Sequence, residues 1–173
     1  MSVINITSAR VTALLVIVLS LSSNDSAAKN GEAFVDRMAI GDQLAQYSYR
    51  WDSKNSAGFA DLFTEDGVME RRVGGEVVRV AVGRQAILDY ATTSHQGRLA
   101  DRQTRPHMSA LVILQLSSES AVTENMALIT HQTENDRAPV IRSSGIYRIS
   151  WRKTEDGWKI AERILFTDQF VSR

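Results

Sequence analysis

The sequence predicts an α+β domain in which a curved antiparallel sheet folds over a layer of helices and leaves an enclosed space that can serve as a pocket. Three observations carry this. Ile40, Leu44, Tyr47 and Trp51 recur at spacings of 4, 3 and 4, which makes one apolar stripe of an amphipathic helix. Gly74-Gly75 separates two strand-like runs, 68–73 and 76–82, and paired glycines supply the positive φ that a two-residue hairpin turn requires. From Pro106 onward four long extended segments follow at hairpin spacing, with Glu155-Asp156-Gly157 as the clearest turn. Helices first and long antiparallel strands afterwards is the order of such a fold.

Taken in order, the chain opens with an apolar run of eleven, Val11 to Leu21, which is too short to span a bilayer. Arg10 precedes it and Ser26 and Ala28 suit a signal-peptidase site, so residues 1–28 read as a signal peptide and 29–173 as one mature domain. Asn30-Gly31 is a breaker, and a helix is expected over about 32–51. Asp52 to Ser56 ends it. Asn55 or Ser56 then caps a short helix carrying Phe59, Leu62 and Phe63 and ending at 64–67. After the hairpin, Gly83 opens a third helix with Ile87, Tyr90 and Ala91 on one face. The polar stretch 94–105 reads as a long loop and a candidate lid. Strands are expected over 107–116, 121–133, 140–153 and 158–170, the first lying between a core and a lined cavity.

Composition removes several function classes. The 173 residues hold 20 cations and 20 anions, and removing Arg10 and Asp25 with the signal peptide leaves 19 of each. A neutral chain has no electrostatic footprint for nucleic acid. There is no cysteine, hence no disulfide framework, thiol nucleophile or lipid-attachment site. Export and a periplasmic or secreted location are expected, with no membrane attachment once the signal is removed.

Chemistry concentrates on a few side chains. Asp52 follows directly on the apolar stripe, at the negative end of the helix dipole, so it either turns to solvent or is held inside by a partner. His107 is the expected partner; a bond into the turn at Lys54-Asn55 is the structural alternative. With Asp52 accepting the Nδ1 proton of His107, Nε2 would face the pocket as a base. Tyr47, Tyr49 and Arg71 are candidates to hold a substrate oxygen, although helical spacing does not put both tyrosines on one face. Asn125 shares alternation parity with His131 and is a candidate to line the same cavity, or equally an ordinary hydrogen-bonded strand residue. His95, His107 and His131 lack the short spacing of metal ligands, so no metal is expected. Trp51, Tyr90, Trp151, Trp158 and Phe166 read as core. Arg142, Arg148 and Arg163 lie on strands and could reach an anionic substrate, although strand arginines usually face solvent.

The order and spacing of Tyr47 to Phe63 (YSYRWDSKNSAGFADLF), Arg105 to Leu114 (RPHMSALVIL), Ala127 to Gln132 (ALITHQ) and Asp156 to Phe166 (DGWKIAERILF) resemble the SnoaL-like branch of the nuclear transport factor 2-like superfamily. The resemblance covers 31–170. It implies a cone-shaped fold, three N-terminal helices closing on a strongly curved mixed, mostly antiparallel β-sheet around a deep pocket. Within that branch the chain is most similar to the scytalone dehydratase family and, further off, to the dehydrochlorinase family of lindane-degrading bacteria. That likeness implies Asp52 as the orienting residue, His107 as the base and His131 as the group assisting departure of the leaving group. Two positions depart from the dehydratase pattern. Trp51 and Arg71 stand where tyrosines hold a water on the substrate carbonyl, and no asparagine is found near Arg148. The proton-transfer half is retained and the carbonyl-holding half altered, which argues against scytalone itself.

The resulting expectation is a cofactor-independent lyase that eliminates water or a small fragment from a hydroxylated aromatic or cyclic molecule. An isomerase or cyclase on the same cone, or a non-catalytic module binding a small ligand, are the alternatives. A sheet of this kind usually covers its exposed face with another subunit, so a homodimer or homotrimer is expected.

Overall fold

The computed structural model of the chain describes the backbone of residues 7–169 and the side chains of residues 28–169. Of the signal peptide expected over 1–28, residues 1–6 lie outside the described residues, and 7–27 are described only as helical backbone. The chain divides into two compact units, residues 1–36 and 37–173. Among the described residues no helix is long and apolar enough to cross a membrane.

The first helix, α1, runs Thr7–Asp52. Asn30-Gly31 does not break it, in keeping with the modest cost of about 1 kcal/mol for one glycine within a helix. Its end is sharp. Lys54 adopts a left-handed φ of 58°, the Asn55 amide donates to the carbonyl of Arg50 and the Lys54 amide to that of Trp51. These are the paired bonds of a Schellman stop. Asn55 then caps α2, Ser56–Asp61, by accepting from the Gly58 amide.

Strand β1, Phe63–Val73, begins five residues earlier than the sequence suggests. Phe63 pairs with Ile160, and the register shifts before Val68, so 63–67 is drawn into the sheet by a partner that local pattern does not announce. Gly74 and Gly75, at φ 60° and 89°, turn the chain into β2, Glu76–Val82. Helix α3, Arg84–Gln96, follows from Gly83. The expected lid shortens to a turn, because α3 extends to Gln96 and β3, Gln103–Leu116, starts at Gln103. Leu99 anchors that turn, at 2% exposure. Strands β4, Ser120–Gln132, β5, Val140–Thr154, and β6, Gly157–Thr167, complete the chain; Phe170 lies outside the described residues.

The sheet is six-stranded in the order β2-β1-β6-β5-β4-β3. All pairs are antiparallel except β1 with β6, which is parallel. Every neighbouring pair contains a register shift, and bulges of this kind bend a sheet. β3 is an edge strand and not a strand between two apolar layers; Leu111, Val112 and Leu114 are exposed. On the inner face Ile40, Leu44, Tyr47, Phe59, Phe63, Ile87, Ile149, Trp151, Trp158 and Ile160 form the core. The Trp151 indole donates to Thr123 at 2.9 Å, satisfying the buried polar atom of that layer.

Candidate functional site

The end of α1 and the inner face of β1, β2, β4, β5 and β6 enclose a pocket of about 240 Å³. Sheet register builds its floor. Arg79, Arg71, Leu165, Tyr147 and Asn125 stand side by side across five strands, and the neighbouring row runs Met69, Arg163, Ile149 and Thr123. Tyr47 and Trp51 from α1, Tyr90 from α3, Arg98 and Leu99 from the turn, and His131 from the end of β4 close the walls.

Five arginines line this pocket, Arg71, Arg79, Arg98, Arg142 and Arg163, against one carboxylate, Glu70. Glu70 is taken by Arg72. Four of the arginines are positioned by neutral groups. Arg71 Nε donates to the Thr167 hydroxyl at 3.0 Å, and Arg98 donates to the Tyr90 hydroxyl at 3.1 Å and to the Ser94 hydroxyl at 3.3 Å. Arg79 lies over the Tyr90 ring at 5.2 Å. Arg163 is 6% exposed; its Nη1 donates to the Glu70 carbonyl at 2.8 Å, its Nε has no partner, and its guanidinium sits over the rings of Tyr147 and Tyr47 at 5.2 and 5.7 Å.

Two titratable groups face this charge. Burial holds the Tyr47 hydroxyl protonated well above the usual phenol range, opposed by Arg163, so it can donate a hydrogen bond but is no base at neutral pH. Burial, reinforced by Arg102, Arg142 and Arg98, lowers the pKa of His131. His131 is therefore neutral at pH 7 and able to accept a proton.

The expected residues divide between this pocket and its surroundings. Tyr47, Trp51, Arg71 and His131 line it. Tyr49 is 74% exposed on the other side of α1, two residues away from Tyr47 on a helix. Asn125 is buried in the same cross-strand row as Tyr147 but is not among the residues that line the pocket; it donates to Met108 Sδ and the Met126 carbonyl, both at 3.2 Å. Asp52 and His107 are not joined by a hydrogen bond. Asp52 accepts from the Thr104 hydroxyl at 2.8 Å and pairs with Arg105 at 3.4 Å, beside a separate, open depression with Tyr49, Ser53 and Gln103. Neither partner is the Lys54-Asn55 turn. Burial raises the Asp52 pKa against the lowering effects of Thr104, Arg105 and, last, His107. His107 is exposed on β3, its Nε2 3.3 Å from the Thr130 hydroxyl. The cause is parity: Thr104 and Pro106 take the inner positions of β3, and His107 takes the outer one, opposite exposed Leu128. His95 is buried, with Nδ1 2.8 Å from the Ser56 hydroxyl, and links α3 to the start of α2. Among the described residues no group of three or more His, Asp or Glu is arranged to hold a metal ion.

Residues 32–164 match the family model described as SnoaL-like domain. This chain belongs to the SnoaL-like family. Its fold is the cone of the NTF2-like superfamily. An NTF2-like protein with a cystatin-like fold from Novosphingobium aromaticivorans superposes with a TM-score of 0.71 at 20% identity, over 84% of this chain and 90% of the other. A protein from the same organism, provisionally named a scytalone dehydratase, superposes at 0.68 and 24% identity over 83% and 93%. A protein of unknown function from Mycobacterium tuberculosis gives 0.70 and 24% over 82% and 76%. At these identities the likeness shows the fold. No curated protein sequence matches this SnoaL-like chain.

Sequence reasoning passed over Arg79, Arg98, Glu70 and Tyr147, and left Arg142 and Arg163 between solvent and contact with an anionic substrate; both line the pocket. The hairpin turn alone does not announce Arg79: with Gly74-Gly75 at the turn, Val73 pairs with Glu76 and Arg72 with Val77, and only the register shift that follows sets Arg79 across from Arg71.

Proposed function

We propose that this SnoaL-like protein is a cofactor-independent lyase that removes water from a small, cyclic, hydroxylated carbonyl compound, with His131 as the proton-transfer group. The observation that carries the proposal is a neutral imidazole facing a pocket whose other walls supply cations and a protonated phenol. A pocket of about 240 Å³ falls below the range of roughly 300–1,000 Å³ typical of drug-sized ligands, which suits a single ring.

In the proposed step the His131 imidazole takes a proton from the carbon next to the substrate carbonyl. The C–H electrons delocalise onto the carbonyl oxygen, where the Tyr47 hydroxyl and neighbouring guanidinium groups stabilise the developing charge. The enolate then re-forms its carbonyl, the new C=C bond displaces the β-hydroxyl, and the imidazolium returns its proton so that the oxygen leaves as water. One histidine serves both half-steps. This reading places proton transfer on His131 and not on an Asp52–His107 dyad, because Asp52 is already engaged by Thr104 and Arg105 and His107 faces outward.

The experiment is a screen of β-hydroxy cyclic ketones, read by mass spectrometry for loss of one water, with His131→Ala as control. Turnover by the natural chain and its loss in the variant are expected. Isotope exchange at the α-carbon without loss of water would replace the lyase with an isomerase. Turnover that survives His131→Ala but is abolished by His107→Ala would return the chemistry to the dyad.

A further inference from the structure

We infer that the pocket is built for an anionic ligand, a small cyclic molecule bearing a carboxylate, with Arg163 as its principal anchor. This rests on the same pocket as the proposed lyase and adds the class of substrate.

The first argument is the absence of counter-charge. Over the whole chain cations and anions balance at 20 each, yet the pocket wall carries five arginines and one carboxylate, itself engaged by Arg72. None of the five makes a salt bridge with any described residue, whereas Arg50, Arg72, Arg84, Arg102, Arg105, Arg148 and Arg152 all do. Of the nine described arginines outside the pocket only Arg37 and Arg137 make no such bridge; in the pocket none of the five does.

The second argument is Arg163 itself. A guanidinium with 6% exposure and an unpartnered Nε is a desolvated charge, and such charges are costly unless paired. Its position over Tyr47 and Tyr147 orients the guanidinium plane and supplies partial compensation, but a ring does not accept the in-plane N–H bonds. A carboxylate does, in the two-pronged geometry that a guanidinium fits.

The third argument is register. Arg71 and Arg79 stand directly opposite each other across the β1–β2 hairpin, and both face the pocket. Like charges in a cross-strand pair destabilise a hairpin. An anion between them converts that repulsion into binding. In the same pocket, burial first and then Arg102, Arg142 and Arg98 lower the pKa of His131.

The test is calorimetric titration of the full chain with benzoate and with its neutral isostere benzamide. Benzoate is expected to bind at least about tenfold more tightly, with affinity falling as salt is raised. Arg163→Gln should remove most of the preference, and Arg142→Gln, at an exposed site that tolerates change, should reduce it several-fold if Arg163→Gln does not fold. Equal binding of the two probes, or no saturable benzoate binding up to roughly 10 mM, overturns the inference. Selective benzoate binding without any lyase turnover would sink the proposed reaction and leave the anion site standing; turnover of neutral compounds without preference for acids would do the reverse.

Discussion

The pocket and the Asp52 depression are built from the same helix end and teach opposite lessons about charge. At the depression, Asp52 is met by a hydroxyl and a guanidinium from β3, so its charge is answered within the fold. In the pocket, Arg163, Arg71, Arg79 and Arg98 are held by hydroxyls, a carbonyl and rings, none of which carries opposite charge. A titratable group beside its partner is accounted for by structure. A group positioned with care and left uncompensated points to something that arrives from outside.

The comparison is broken most directly by exchanging the roles of its histidines. His131→Ala should cut turnover by roughly 10²- to 10⁴-fold, the usual worth of general acid–base catalysis, whereas His107→Ala should change it less than about threefold; steady-state kinetics on the β-hydroxy ketone that is turned over would decide. The pH profile sharpens the same point. Because the His131 pKa is lowered, kcat/KM should stay flat through the usual histidine value of about 6.5 and fall only at more acid pH. A fall centred at or above that value would indicate another base.

Linkage gives a stability counterpart. His95 and His131 both have folded pKa values below their unfolded ones, so the unfolded chain binds protons first. Their contribution is complete above about pH 6.5 and is lost as pH falls toward the folded values. Asp52 runs the other way: its pKa is raised by burial, so its ionisation costs stability, and the cost appears as pH rises through the folded value. Asp52→Asn should therefore be neutral or stabilising at pH 7, by up to about 1 kcal/mol, in chemical denaturation. A loss of several kcal/mol would mean that the carboxylate charge is essential to the α1–β3 junction. The smallest expected effect is at the hairpin, where Arg79→Thr should raise stability by about 0.2–1 kcal/mol in the absence of ligand, by relieving the repulsion with Arg71.

Much of this was legible in the chain. The stripe of Ile40, Leu44, Tyr47 and Trp51 placed α1 against the core, Gly74-Gly75 and Gly157 fixed two turns, and the order of segments gave the SnoaL-like resemblance that the family match bears out. His131, Arg71, Tyr47 and Trp51 were named from sequence and do meet at one pocket.

What escaped was decided by parity. Simple alternation along Trp158, Ile160, Glu162 and Ile164 puts Arg163 outside. In the sheet Trp151 pairs with Ile160 but Ser150 pairs with Glu162, so Ala161 is an extra residue and everything beyond it changes face. Arg163 is thereby carried into the pocket and Ile164 away from the core. For His107 no such bulge intervenes before it, and the pairing of Pro106 with Ile129 fixes its neighbour outward. Local pattern determined the elements, their order and the apolar core, because propensity and periodicity act within a few residues. Only the tertiary structure decided which charges face the cavity, because a single bulge, set by pairing with a distant strand, reverses the side to which every later residue points.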